Sequence, residues 1–199
     1  MSKKAYHHGD LRTTMIEKGL EIIIKEGKSA LSLRRLASTC GVSHAAPYAH
    51  FADKNELMNA ILEHISQQFA ANLREAINEY GVSKKGLYHL SCAYVMFFAK
   101  NPNYFDFIFS VAKFTVDDEN PYEPHDILKN FARELLLPMG YSLQEARATF
   151  LAHFAFMHGL AAVACMATNS IEQKEAWTKA ILSKNHLLYM EDDENVKSI

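Results

Sequence analysis

The sequence predicts an all-α protein: a small amino-terminal head of three helices followed by a larger helical body, about nine helices in total. Three observations carry that expectation. Every periodic apolar segment repeats with helical spacing and none alternates as a strand does. The stretch from Ser32 to Phe51, SLRRLASTCGVSHAAPYAHF, reads as helix, tight turn, helix. Charge is also segregated: residues 1–54 hold nine Lys/Arg and five Asp/Glu, a net +4, while the remainder carries −6, which together give the overall −2. A basic head on an acidic body suits a nucleic-acid-binding domain fused to a part that stays off nucleic acid. The boundary is placed at 54/55, giving segments 1–54 and 55–199.

The elements follow in order. Asp10 can cap a first helix whose Leu11, Met15, Gly19, Ile22 and Ile23 share a face, closing at Gly27. Ser32 can cap a second, with Leu33, Leu36, Ala37 and Cys40 on one stripe and Gly41 as the stop. Ser43 can cap a short third helix ending near Phe51, with Pro47 forcing a tight or shifted first turn. A longer helix is expected over about 55–79, its stripe being Leu57, Ile61, Ile65, Phe69 and Leu73. Further helices are expected over about 87–100, 104–114, 126–137, 143–168 and 171–189. An acidic, proline-containing loop over 117–124 separates two of them, and the acidic tail EDDENVKSI is expected to fray.

Composition excludes several classes. With 49% hydrophobic and 22% charged residues the chain is neither disordered nor fibrous. The longest uninterrupted apolar stretch, near 159–167, is too short to cross a membrane, and MSKKAYHHGD has no apolar stretch behind it, so neither membrane insertion nor secretion is expected. Three widely spaced cysteines predict no disulfide framework and a reducing cytoplasm. The pair His7–His8 and the five-apart His153 and His158 lack metal-ligand spacing, so no metal and no cofactor is expected. GVSHA approaches the nucleophile elbow G-x-S-x-G, but a helix rather than a strand precedes it. No phosphate loop or dinucleotide fingerprint is present, and an enzyme is not expected.

The chemistry of the turn points to double-stranded DNA. Ala37 lets two helices approach closely, Gly41 permits a left-handed turn, and Val42 fills the gap between the helices. Ser43, His44 and Ala45 fall where a reading helix meets base edges, the alanine methyl suiting thymine. Tyr48, His50 and Lys54, with Arg34 on the second helix, are candidate phosphate donors. A helical hairpin with a glycine turn also occurs in proteins that never touch DNA.

YHHGDLR, followed by SLRRLASTCGVSHAAPYAHFADKNEL, resembles the DNA-binding half of the tetracycline-repressor (TetR) family of bacterial regulators. NPNYFDFIF and FMHGLAAVA resemble, more loosely, the subgroup whose carboxy-terminal domain carries Trp-His-Gly; here Met157 stands in place of the Trp, before His158 and Gly159. The resemblance implies a cytoplasmic homodimer that binds a partly palindromic operator, usually as a repressor, and is released by a small molecule held in the body. It also implies base reading by Ser43, His44 and Ala45 and phosphate contact by Tyr48, His50 and Lys54. Many subgroup members have a basic residue where this chain has Ala49.

Ten of the twelve phenylalanines lie between residues 97 and 156. Singly each ring is ordinary core; together they suggest a pocket for an apolar or aromatic effector. Its expected lining is Phe97, Phe98, Tyr104, Phe105, Phe109, Phe131, Phe150, Phe154, Met157 and His158. Phe107 and Phe114 belong to the same aromatic run. On the long helix, Ala148, Ala152, Ala155, Gly159 and Ala162 form a small-residue stripe beside His153, Phe156, Leu160 and Val163. An expected twofold interface combines Ala152, Ala155, Phe156, Gly159, Ala162 and Val163 with Trp177 and Ile181 of the last helix. The competing reading is an activator, or a regulator governed by a protein partner or by oxidation of a cysteine such as Cys40.

Overall fold

The protein is seen in a computed structural model that describes residues 8–111 and 122–184. Among these, eight α-helices and three short 3-10 turns account for the secondary structure, with no strand. The helices are α1 (His8–Glu26), α2 (Leu33–Cys40), α3 (Lys54–Tyr80), α4 (Lys84–Lys100), α5 (Pro102–Val111), α6 (Glu123–Leu136), α7 (Leu143–Met166) and α8 (Ile171–Leu182). The Asp10 side chain, Phe114, the loop residues up to 121, Leu187, Leu188 and the acidic tail lie outside the described residues.

The chain forms two compact units. The first holds the chain up to Ser66 and returns at Asp106; the second takes Gln67–Phe105 and the chain from Tyr122. In the first, Met15, Ile16, Leu20, Ile22 and Ile23 of α1 are buried with Leu33, Leu36 and Ala37 of α2, Phe51, and Leu57, Ile61 and Ile65 of α3. Gly19 leaves room on α1 for the tip of the Ile61 side chain of α3. A Cβ built there would lie 2.9 Å from Ile61 Cδ1.

In the second unit, α4 packs on α7 and α8, and α6 packs on α7. The long apolar helix α7 begins with a capping box: Ser142 Oγ accepts from Glu145 N–H, and the Glu145 carboxylate accepts from Ser142 N–H at 2.8 Å. Ser170 and Gln173 do the same for α8. By length and mean hydropathy α7 alone among the described helices is apolar enough to cross a membrane. Its two faces differ, however. Ala146, Phe150, His153, Met157, Leu160, Ala161 and Ala164 are buried, whereas Ala148, Ala152, Ala155, Gly159, Val163 and Met166 are exposed.

Three expected helix starts shift: α6 begins at Glu123 rather than near 126, with Pro124 in its first turn. Ser83 caps α4 by accepting from Gly86 N–H, so that helix opens earlier than expected. Pro102 opens α5 instead of standing in a break before it; at a first helical position its missing N–H costs nothing.

Candidate nucleic-acid interface and effector cavity

The helix-turn-helix is held by local devices. Ser32 Oγ accepts from Arg35 N–H at 3.1 Å, the expected cap of α2. At the other end Gly41 sits at φ +67°. Its N–H donates to Ser38 O, and Val42 N–H donates to Ala37 O at 3.0 Å. That pair of bonds is a Schellman ending, which only a residue at ease in the left-handed region closes without strain.

The reading element departs from expectation. Ser43 caps no α-helix: Ala46 N–H donates to the Ser43 backbone carbonyl, and the chain continues as a four-residue 3-10 turn, Ala46–Ala49. The physical reason is Pro47. It donates no N–H, and its ring is buried, so the turn is anchored by the proline rather than by a capping side chain. The result is an exposed knuckle. Ser43, His44 and Ala45 are exposed, Ala46 is half-buried, and Tyr48 presents 61% of its surface. His50 is half-buried against Phe51, and Phe51 lies beneath the Arg12 guanidinium, 5.4 Å from the ring centre. The chain then enters α3 through Asp53, whose carboxylate accepts from Glu56 N–H at 2.9 Å, while Glu56 accepts from Ala52 N–H.

The cations near the turn divide. Arg35 is engaged with Glu26, and Lys54 Nζ donates to the Lys28 carbonyl at 3.1 Å, which ties the start of α3 to the 3-10 turn Lys28–Ala30. Arg34 stands exposed beside them. Cys40 is half-buried, and burial pushes its thiol above the ordinary range, which disfavours the reactive thiolate.

In the second unit the predicted pocket residues separate into two groups. Phe131, Phe150 and Met157 line a cavity of about 50 Å³ between α4, α6 and α7, with Leu87, Leu90, Leu128, Ala132, Leu136 and His153 around them and Met139 and Tyr141 at its end. Phe97, Phe98, Tyr104, Phe105, Phe154 and His158 instead join Phe69 and Tyr94 in a continuous ring cluster. Its contacts include Phe69–Phe97 at 4.7 Å, Phe98–Phe105 at 5.3 Å, Phe105–His158 at 4.9 Å and Phe150–Phe154 at 6.0 Å between centroids. Phe150 is therefore where the cluster meets the cavity. Phe109 lies in the other unit, half-buried. Within the cluster Tyr94 Oη and His158 Nδ1 are 3.2 Å apart, a hydrogen bond, and burial raises the tyrosine's pKa so that it stays a neutral phenol. A larger cleft, about 340 Å³, opens between α6 and α7 and shares Ala132 and Phe150 with the cavity.

Sequence reading placed Phe131 alone of the α6 wall in the pocket and did not place His153 there. Leu128, Phe131, Ala132, Leu135 and Leu136 recur at helical spacing and were available as a signal. Of the predicted interface residues, Ala152, Ala155, Gly159, Val163 and Ile181 are exposed, and Phe156, Ala162 and Trp177 are half-buried. Their neighbours His153 and Leu160 point inward instead. Among the described residues no group of three or more His, Cys, Asp or Glu is placed to hold a metal.

An all-helical protein with a helix-turn-helix head is the class these features define. Residues 15–61 match the family model "Bacterial regulatory proteins, tetR family", so over this stretch the head is similar to the amino-terminal domain of those regulators. Solved structures share the fold over nearly the whole chain. A Rhodococcus sp. RHA1 protein of unknown function is 24% identical, with a TM-score of 0.72, covering 90% of this chain and 97% of its own. The fatty acid degradation regulator FadR of Bacillus halodurans is 17% identical, with a TM-score of 0.61, covering 87% and 98%. The TetR family regulator PfmR of Thermus thermophilus is 16% identical, with a TM-score of 0.62, covering 95% and 97%. No curated protein matches the chain.

Proposed function

We propose that the protein is an effector-responsive transcriptional repressor which binds a partly palindromic DNA operator as a cytoplasmic homodimer. The observation that carries the reading is the exposed knuckle Ser43–Tyr48 on a capped helix-turn-helix of tetR-family sequence. Ser43, His44 and Ala45 would meet base edges. Tyr48, His50 and Arg34 would meet phosphates, as would Lys54 with the protons not given to Lys28. A non-catalytic role follows from the same site. The Trp-His-Gly subgroup is supported by His158 and Gly159 alone, Met157 standing for the tryptophan.

The dimer is proposed through the exposed stripe of α7, Ala152, Ala155, Gly159 and Val163, flanked by Phe156 and Ala162 and joined by Trp177 and Ile181 of α8. Val163 is 52% and Met166 76% exposed on this face, apolar surface that a twofold mate would cover. The same pairing accounts for the hydropathy of α7 without a membrane. A regulator controlled by Cys40 oxidation is disfavoured by the raised thiol pKa.

The test is footprinting of the purified full chain on DNA upstream of its own or a neighbouring gene. Protection of a paired half-site should weaken steeply with salt as phosphate contacts release counterions. Tyr48→Ala should weaken all sequences alike by about tenfold, whereas His44→Ala should change the preferred base. Absent or salt-indifferent protection would sink the reading.

A further inference from the structure

The polar heart of the cavity is His153, 5% exposed on the inward face of α7. Its tautomer follows from its neighbours. The Ser91 hydroxyl has one proton and donates it to the Leu87 carbonyl at 2.7 Å. The 2.9 Å contact between Ser91 Oγ and His153 Nε2 must then have the histidine donating. Nε2 therefore carries the proton, and Nδ1 is a bare lone pair. That nitrogen is buried and has no hydrogen-bond partner. A buried acceptor left unmade costs about 1–3 kcal/mol, and the wall around it is mostly leucine, phenylalanine and methionine, with Lys84, Tyr141 and Thr149 the other polar side chains that line the cavity.

We infer that His153 is the specificity-determining hydrogen-bond acceptor of the effector cavity, and that the cavity takes neutral, ring-sized apolar molecules bearing one O–H or N–H donor, such as a phenol. This rests on the effector-responsive reading above and names its ligand class. The lone pair repels a carboxylate, and an uncharged donor supplies the missing bond while its hydrocarbon part fills the apolar remainder. At about 50 Å³ the cavity is smaller than the roughly 150 Å³ known to admit benzene. It has the means to widen. Met139 and Met157 are flexible wall residues, and Phe150 divides the cavity from the neighbouring cleft, so its rotation joins the two.

Phenol and toluene, equal in heavy-atom count, test this on the full-length protein by calorimetric titration. Long-range 1H–15N spectra of the imidazoles read the same event. Phenol should bind about tenfold more tightly than toluene, one hydrogen bond's worth. The His153 Nδ1 resonance should move with phenol and not with toluene, starting from a bare-nitrogen position. His153→Leu should make the two probes bind alike; if that variant fails to fold, the spectra of the unmodified protein still decide. Equal binding, no binding of either probe, or an Nδ1 resonance unmoved by phenol overturns the inference. Phenol selectivity without DNA protection would leave the site standing and remove the regulator reading; the converse result removes the site alone.

Discussion

The head and the body are stabilised in opposite ways. In the head, the devices that shape the reading turn act over short stretches of chain: Ser32 on Arg35, Asp53 on Glu56, and Gly41 at its own turn. Each is satisfied within one chain, and Ser43, His44 and Tyr48 of the turn face outward. In the body, the decisive polar contacts join residues 62 and 64 apart, Ser91 to His153 and Tyr94 to His158. There the buried Nδ1 of His153 has no hydrogen bond, and a whole apolar stripe of α7 stays uncovered. A preformed, self-sufficient head suits contact with a fixed surface such as a DNA groove. A body with unmet needs suits control, because a second chain and a ligand can each supply what it lacks.

Gly159→Leu tests that asymmetry with the largest expected effect. Within the single chain nothing lies within 4 Å of a Cβ at this position, so the subunit's own packing tolerates the change. At a twofold interface the new side chain meets its own copy. Overpacking costs about 1–3 kcal/mol per site and is suffered twice. The dimer dissociation constant, measured by sedimentation, should therefore rise by about a hundredfold or more. An unchanged dimer would place the body's partner on another face, and the contrast with the head would no longer rest on α7.

The same asymmetry governs what the sequence discloses. Ser32, Gly41 and the stripe from Leu57 to Leu73 are legible because cap, turn and periodicity are short-range properties of the chain. The third helix is legible in place and in the tight turn that Pro47 forces, but not in being 3-10 throughout, since Pro47 also acts through the burial of its ring, which no spacing records. The aromatic residues were legible as a set. Which of them border a void depends on how α4, α6 and α7 meet, so Phe131 and Phe150 could not be told from Phe97 and Phe98. His153 looked like one more residue on an apolar stripe, since its meaning depends on Ser91, far away in sequence.

Acid should strike the body harder than the head. Burial lowers the pKa of His153 from 6.5 to about 4, and lowers those of His125 and His158 in the same direction. Between those two values the unfolded chain binds a proton at position 153 that the folded chain refuses. Stability is therefore full above pH 6.5 and falls as the pH drops toward 4, by up to about 3 kcal/mol for His153. The only tryptophan, Trp177, reports on the body. Urea unfolding followed by its fluorescence should shift to lower urea between pH 7.5 and 5, and His153→Gln should flatten that shift. A pH-independent midpoint would mean that the buried imidazoles are solvated more than their burial implies.

The smallest effect belongs to the head. Ser32→Ala removes the side-chain acceptor for Arg35 N–H and should destabilise α2 by about 1 kcal/mol, whereas Ser32→Asp should restore the bond. Because the cap is exposed and local, the change should reach no residue of the body. Amide exchange should quicken for Leu33 to Ala37, DNA affinity should drop by only a few-fold, and the Trp177 unfolding midpoint should stay where it was. If that midpoint moved with the cap, the two units would share their stability, and a local device in the head would be felt by the body after all.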